Sequence, residues 1–108
     1  MEIHVPAGSL RHVVLCKFKP EATQAQITDI EDGFRAMCGK IEAVRGFEWG
    51  HDISVEKRNK GFSHCFIVTF ADEAGRDAYL PHPEHRAFVE KLKLVVEDIL
   101  VVDYWAST

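Results

Sequence analysis

Two features of this 108-residue sequence predict an α+β fold. Side chains alternate with a period of two over residues 10–18, 47–53, 62–70 and 99–105, as they do in strands. Apolar residues at helical spacing separate the first strand from the second and the third from the fourth. The resulting order, βαββαβ, predicts a ferredoxin-like domain with a four-stranded antiparallel sheet and helices on one face.

The first half of the chain is expected to contain an arm, a strand, a helix and a second strand. Residues 1–9 are predicted to be an N-terminal arm and residues 10–105 the domain. Thr23 can cap the first helix, and Gly39 can end it. The apolar positions of this helix are Ile27, Ile30, Phe34 and Met37.

The second half begins with a polar loop over residues 54–61, before the third strand. A short helix is expected over residues 72–80. Pro83 fits the first position of a longer helix, which places His82 at its N-cap and extends to about residue 97. The last strand follows.

Large apolar residues occur on both faces of the predicted strands. One layer of helices covers only one face, so the other would remain in contact with water in a monomer. Two such sheets packed by two-fold symmetry would bury it. We therefore expect a homodimer formed through the face that carries Val13, Leu15, Ile67, Val102 and Tyr104.

Charge and cysteine content narrow the class of protein. The net charge of −4 argues against nucleic acid or an anionic membrane as a partner. No apolar run approaches the length that spans a bilayer. Three cysteines, without a CxxC pair, indicate reduced thiols and a cytoplasmic protein.

The segment around the start of the last helix carries the strongest candidates for chemistry. Tyr79 and His85 bring a phenol and an imidazole close together, and a helix N-terminus disfavours the charged imidazole. A neutral histidine and a tyrosine suit proton removal next to a carbonyl group. The alternative is structural: Tyr79 packs at a helix end while His85 bonds a backbone carbonyl.

Two further histidines, His12 and His64, lie on strand faces that are expected to point towards the helices. With His85 they would make a three-histidine metal site, but no carboxylate or cysteine completes it at motif spacing. We therefore expect no metal and no cofactor. The two histidines are instead predicted to line a small internal cavity and to contact its ligand, together with Phe34 and Phe66.

The sequence resembles the stress-responsive A/B barrel domain family. The matching stretches are residues 10–19, 47–50, 60–64, 78–85 and 98–104. They include a Trp-Gly pair, a histidine after Gly-Phe-Ser, and a His-Pro-Glu-His segment. The resemblance implies a dimeric α/β barrel, and it implies no reaction for most members.

One branch of the family, a plant polyketide cyclase, closes an aromatic ring by an intramolecular aldol condensation. Its catalytic tyrosine and histidine match Tyr79 and His85, and two of its pocket histidines match His12 and His64. Where the cyclase has apolar residues on its first long helix, this chain has Glu31 and Arg35. These stand four residues apart, which predicts an exposed surface pair.

Three functions follow as hypotheses. The first is a homodimer that binds a small hydrophobic or carbonyl-containing molecule, without established catalysis. The second is a cofactor-free cyclase or lyase that uses Tyr79 and His85. The third, which the residues support least, is a haem- or metal-dependent oxygenase.

Overall fold

The computed structural model describes residues 8–106, so most of the predicted arm, residues 1–7, lies outside the described residues. Four strands and three helices follow one another in the predicted order. They are β1 (Leu10–Phe18), α1 (Gln24–Gly39), β2 (Val44–His51), β3 (His64–Phe70), α2 (Glu73–Tyr79), α3 (Pro83–Leu92) and β4 (Val96–Trp105).

The sheet is antiparallel with strand order β2-β3-β1-β4, which confirms the predicted ferredoxin-like topology. The helices cover one face. In the register of the central strands, His12 on β1 lies between Val68 on β3 and Asp103 on β4. This register decides which polar side chains share the helix-covered face.

Stacked aromatic rings form the centre of the core. Phe34 on α1 stacks on Phe66 of β3, with ring centroids 4.5 Å apart, and on Phe47 of β2 at 5.2 Å. Phe88 on α3 contacts the Phe34 ring, with ring centroids 5.0 Å apart. The core therefore joins α1 and α3 to the sheet and fixes the helices that border the site.

Local capping explains where the helices begin. Thr23 accepts a hydrogen bond from the Gln26 amide, and the Gln26 side chain accepts one from the Thr23 amide, which is a capping box. His82 caps α3 by accepting from the Glu84 amide at 3.1 Å. The predicted helix start at Pro83 is confirmed.

The end of α3 differs from the prediction. The helix stops at Leu92, and β4 begins at Val96 rather than at residue 99. Val96 pairs with Phe18, and the Val95 carbonyl accepts a hydrogen bond from the Lys19 amide at 2.9 Å. Because these backbone groups pair with β1, they are not available to continue the helix. The apolar spacing within the segment does not contain this information.

The face of the sheet opposite the helices, here called the outer face, carries apolar side chains that no element within residues 8–106 covers. Leu100, Val102 and Tyr104 of β4 are each about half exposed on it, at 48%, 51% and 47%. Val13 and Ile67 lie beside them and are partly buried.

Within residues 8–106, none of the helices combines the length and apolar character needed to cross a membrane.

Candidate functional site

A cavity of about 330 Å³ lies between α2, α3 and the strands β1 and β4. Its wall is mainly apolar, and four polar side chains interrupt it. The lining residues are His12, Val14, Phe34, Tyr79, Leu80, His85, Phe88, Val89, Leu92, Ile99, Val101 and Asp103.

His85 lies in the first turn of α3, where its ring has a defined hydrogen-bond partner. Its Nδ1 donates to the Leu80 carbonyl oxygen at 2.9 Å. A carbonyl only accepts, so the hydrogen is on Nδ1, and Nε2 of the neutral ring keeps its lone pair. Burial lowers the pKa of His85, and the nearby His12 and His82 lower it further. The hydrogen bond to Leu80 raises the pKa, but by less than the other effects lower it. The imidazole is therefore suited to accept a proton.

Tyr79 ends α2 and is almost fully buried beside that imidazole. Its ring centroid lies 4.4 Å from that of His85 and 5.8 Å from that of His12. Burial raises the pKa of the phenol, and Cys38 adds to the effect. The hydroxyl therefore keeps its proton and can act as a hydrogen-bond donor.

His12 is held from the opposite side of the cavity by a carboxylate. Its Nδ1 lies 2.6 Å from Asp103 Oδ1, and Arg76 Nη1 donates to Asp103 Oδ2 at 3.3 Å. A carboxylate on one ring nitrogen fixes the orientation of an imidazole. Asp103 is not among the site residues predicted from the sequence, although it is the one acidic residue within the predicted strand 99–105. It stands opposite His12 in the sheet register.

The structure brings together four of the six predicted site residues. Tyr79, His85, His12 and Phe34 line the cavity, whereas His64 and Phe66 do not. Phe66 is fully enclosed in the aromatic core. His64 lies apart from this cavity, because it pairs with Cys16, four residues along β1 from His12 or about 13 Å away. For the same reason the three histidines do not converge on one metal ion.

His64 belongs instead to a second cluster, here called the Glu31 cluster, with Glu31 and His51. Glu31 Oε2 lies 2.8 Å from His64 Nε2 and 3.1 Å from His51 Nε2. Although burial alone raises the pKa of Glu31, hydrogen bonds from His64 and His51 and the charges of the two rings lower it overall. The carboxylate is therefore ionised at neutral pH.

The prediction of an exposed Glu31–Arg35 pair is wrong. Glu31 is only 8% exposed, while Arg35 is exposed and lies over the Phe47 ring at 5.8 Å. Glu31 borders the apolar stripe of α1, so its side chain faces the end of the sheet, where two imidazoles satisfy the carboxylate. Helical spacing alone could not identify these partners.

The cavity combines a proton acceptor, a proton-holding donor and an oriented imidazole within an apolar wall. A base beside a hydrogen-bond donor is the arrangement that moves protons next to a carbonyl or hydroxyl oxygen. The volume lies at the lower end of the range of small-molecule sites, about 300–1,000 Å³. The site can therefore accept a compact ligand with one or two polar groups.

Comparison with known proteins places these features in a family. The model of the Stress responsive A/B Barrel Domain family matches residues 10–106. The stress-response A/B barrel domain-containing protein HS1 of Arabidopsis thaliana is 31% identical over 97 residues, covering 90% of this chain and 89% of that protein. Olivetolic acid cyclase of Cannabis sativa is 28% identical over 96 residues, covering 89% of this chain and 95% of the cyclase.

Solved structures agree with the sequence matches. Hydroxynitrile lyase from Passiflora edulis superimposes with a TM-score of 0.87 at 26% identity, covering 94% of this chain and 96% of the lyase. A dimeric ferredoxin-like protein of unknown function from Jannaschia sp. CCS1 gives a TM-score of 0.78 at 26% identity, covering 90% of this chain and 98% of that one. With the family model matching nearly the whole described chain, this protein belongs to the stress-responsive A/B barrel domain family.

Proposed function

We propose that this protein is a homodimer that binds a small, largely apolar carbonyl compound in the cavity beneath α2 and α3. The observation that carries the proposal is the cavity itself, an apolar space of about 330 Å³ whose polar groups are His12, Tyr79, His85 and Asp103. An apolar ligand body would pack against Phe34, and its oxygen would receive a hydrogen bond from the Tyr79 hydroxyl.

The homodimer is supported by the outer face of the sheet. The half-exposed apolar side chains of β4 and the partly buried Val13 of β1 and Ile67 of β3 form a patch across three strands. A patch of this kind indicates an association surface, and the structurally similar protein from Jannaschia sp. CCS1 is dimeric. A second copy of the same face would cover it by two-fold symmetry.

Binding is tested with benzaldehyde as the probe and nuclear magnetic resonance as the readout. We expect the resonances of His12, Tyr79 and His85 to shift on titration. Val101→Phe fills the cavity from a half-exposed lining position and should abolish these shifts. Leu94→Phe adds the same ring at an exposed position outside the cavity and should leave them unchanged. Shifts that persist in Val101→Phe would place the ligand elsewhere.

A second candidate function is cofactor-free lyase or cyclase chemistry in the same cavity. The hydrogen bond from His85 Nδ1 to the Leu80 carbonyl favours this chemistry, because it keeps the hydrogen on Nδ1 and leaves Nε2 free to act as a base. In cyanohydrin cleavage, His85 would take the hydroxyl proton and the O–H electron pair would form the carbonyl. The carbon–carbon bond would break with its electrons on cyanide, which leaves as hydrogen cyanide after accepting a proton.

Release of benzaldehyde from mandelonitrile tests this second function. The relative from Passiflora edulis is named as a hydroxynitrile lyase, so this is the first substrate to try. If the protein turns it over, His85→Ala should lower kcat by about 10²–10⁴-fold, the usual contribution of a general base. Tyr79→Phe should lower kcat through loss of the donor while the chain remains folded. Turnover unchanged in His85→Ala would exclude this mechanism.

A further inference from the structure

We propose that Glu31, His51 and His64 form a binding site for a divalent transition-metal ion of the zinc type, separate from the cavity. They come from three elements, α1, the end of β2 and the start of β3. Their ligand atoms lie within 4.8 Å of one another. Two imidazoles and one carboxylate are a ligand set that zinc and other first-row metals accept.

The distances within the Glu31 cluster are close to those of a metal coordination sphere. Bonds of about 2.0–2.1 Å in a tetrahedral zinc site place neighbouring ligand atoms about 3.3 Å apart. Glu31 Oε2 lies 2.8 Å from His64 Nε2 and 3.1 Å from His51 Nε2. Exchange of the bridging hydrogens for an ion would lengthen these two contacts by about 0.2–0.5 Å. The third pair of ligand atoms, on the two histidines, lies within the 4.8 Å that encloses the whole set.

Neighbouring side chains hold His64, the buried histidine of the cluster, in place. Ser63 Oγ lies 2.8 Å from His64 Nδ1, and a hydroxyl accepts as readily as it donates. It can therefore bond the Nδ1–H form of the ring, which leaves Nε2 unprotonated for a metal. The Trp49 ring lies parallel to His64 at a centroid distance of 6.0 Å. Such outer contacts orient metal-binding histidines.

The Glu31 cluster also has an entry path and room for a further ligand. The side chains of Glu31 and His64 are 10% and 6% exposed, whereas that of His51 is 59% exposed. The exposed side chain of His51 leaves one side of the cluster open to solvent, where an ion can enter and a fourth ligand can bind. Three protein ligands with an open fourth position are typical of zinc sites that bind water or a small ligand.

Zinc titration of the metal-free protein is the direct test. We expect one Zn²⁺ per chain by calorimetry and a rise in Tm with zinc, because an ion that binds only the folded chain stabilises it. Co²⁺ should give the visible spectrum of a tetrahedral site, without a thiolate charge-transfer band. His51→Ala is the decisive variant, since its exposed side chain can be removed without unfolding the chain.

Loss of one of three ligands should weaken zinc binding by at least about 100-fold, since even outer contacts contribute about 10–100-fold. Glu31→Gln should weaken it similarly while keeping the size of the side chain. His82→Asn is the matched control, because it removes an imidazole outside the cluster and keeps an N-cap on α3. No stoichiometric zinc, equal affinity in His51→Ala, or a thiolate band with Co²⁺ would each overturn the site.

Discussion

Val102 is the position at which the proposed dimer can be tested most directly. It lies on the outer face of β4 opposite Val13 and is 51% exposed in the single chain. An aspartate there remains hydrated in a monomer, so Val102→Asp should fold, at a cost of about 1 kcal/mol for lower strand propensity. In a dimer the same carboxylate would be buried.

The size of the effect follows from symmetry. Complete burial of a valine contributes about 1.5 kcal/mol, so covering the exposed half contributes about 0.8 kcal/mol per copy. A buried charge without a partner costs about 3–5 kcal/mol, and a two-fold interface contains two copies of it. The total exceeds about 6 kcal/mol, which raises the dimer Kd by more than about 10⁴-fold.

Sedimentation equilibrium at micromolar concentration measures this change. The wild-type chain should sediment as a dimer and Val102→Asp as a monomer of 12.3 kDa. Leu94→Asp, at an apolar position that is 74% exposed and follows α3, is the matched control and should remain dimeric. A wild-type monomer, or a dimer that persists in Val102→Asp, would refute the proposed interface.

Thiol reactivity gives an independent readout of the same interface. Cys65 lies on the outer face opposite Leu15 and is partly exposed in the single chain. Burial raises the pKa of Cys16 and that of Cys38, each to about 12, and Cys65 contributes to the shift of Cys16. These two thiols should therefore react slowly in both the monomer and the dimer. Burial and the Glu48 charge also raise the pKa of Cys65, but its thiol is partly exposed in the single chain. One additional accessible thiol, that of Cys65, should therefore react in Val102→Asp.

Three further predictions concern the single chain. Gly61 has a φ of +88°, so Gly61→Ala should lower the free energy of unfolding by about 1–2 kcal/mol in urea, whereas Gly50→Ala, with open space around it, should be nearly neutral. Asp103→Asn removes the charged hydrogen-bond partner of His12 and should cost about 1.5–3 kcal/mol in the same assay. An unchanged urea midpoint would contradict a stabilising His12–Asp103 hydrogen bond. Burial lowers the pKa of His85, so its resonance should titrate below 6.5. The unfolded chain then binds this proton more readily than the folded chain, so the free energy of unfolding should fall as pH drops below about 6.5. This fall should be smaller in His85→Gln.

Alternation and capping in the sequence determined the elements and their order. The alternating residues of β1 and β3 and the proline at the start of α3 predict the βαββαβ topology, and the structure confirms it. These signals are local, because a strand face and a helix cap depend on neighbours within a few residues. The same local signal placed Tyr79 next to His85.

Only the tertiary structure decided which polar groups meet across the sheet. The register of β4 against β1 pairs Asp103 with His12, and that of β3 against β1 carries His64 away from the cavity. Glu31 looked like a surface residue because its partners, His51 and His64, are 20 and 33 residues away in the chain. Contacts of that separation are fixed by strand pairing and helix packing, and no spacing within a single element records them.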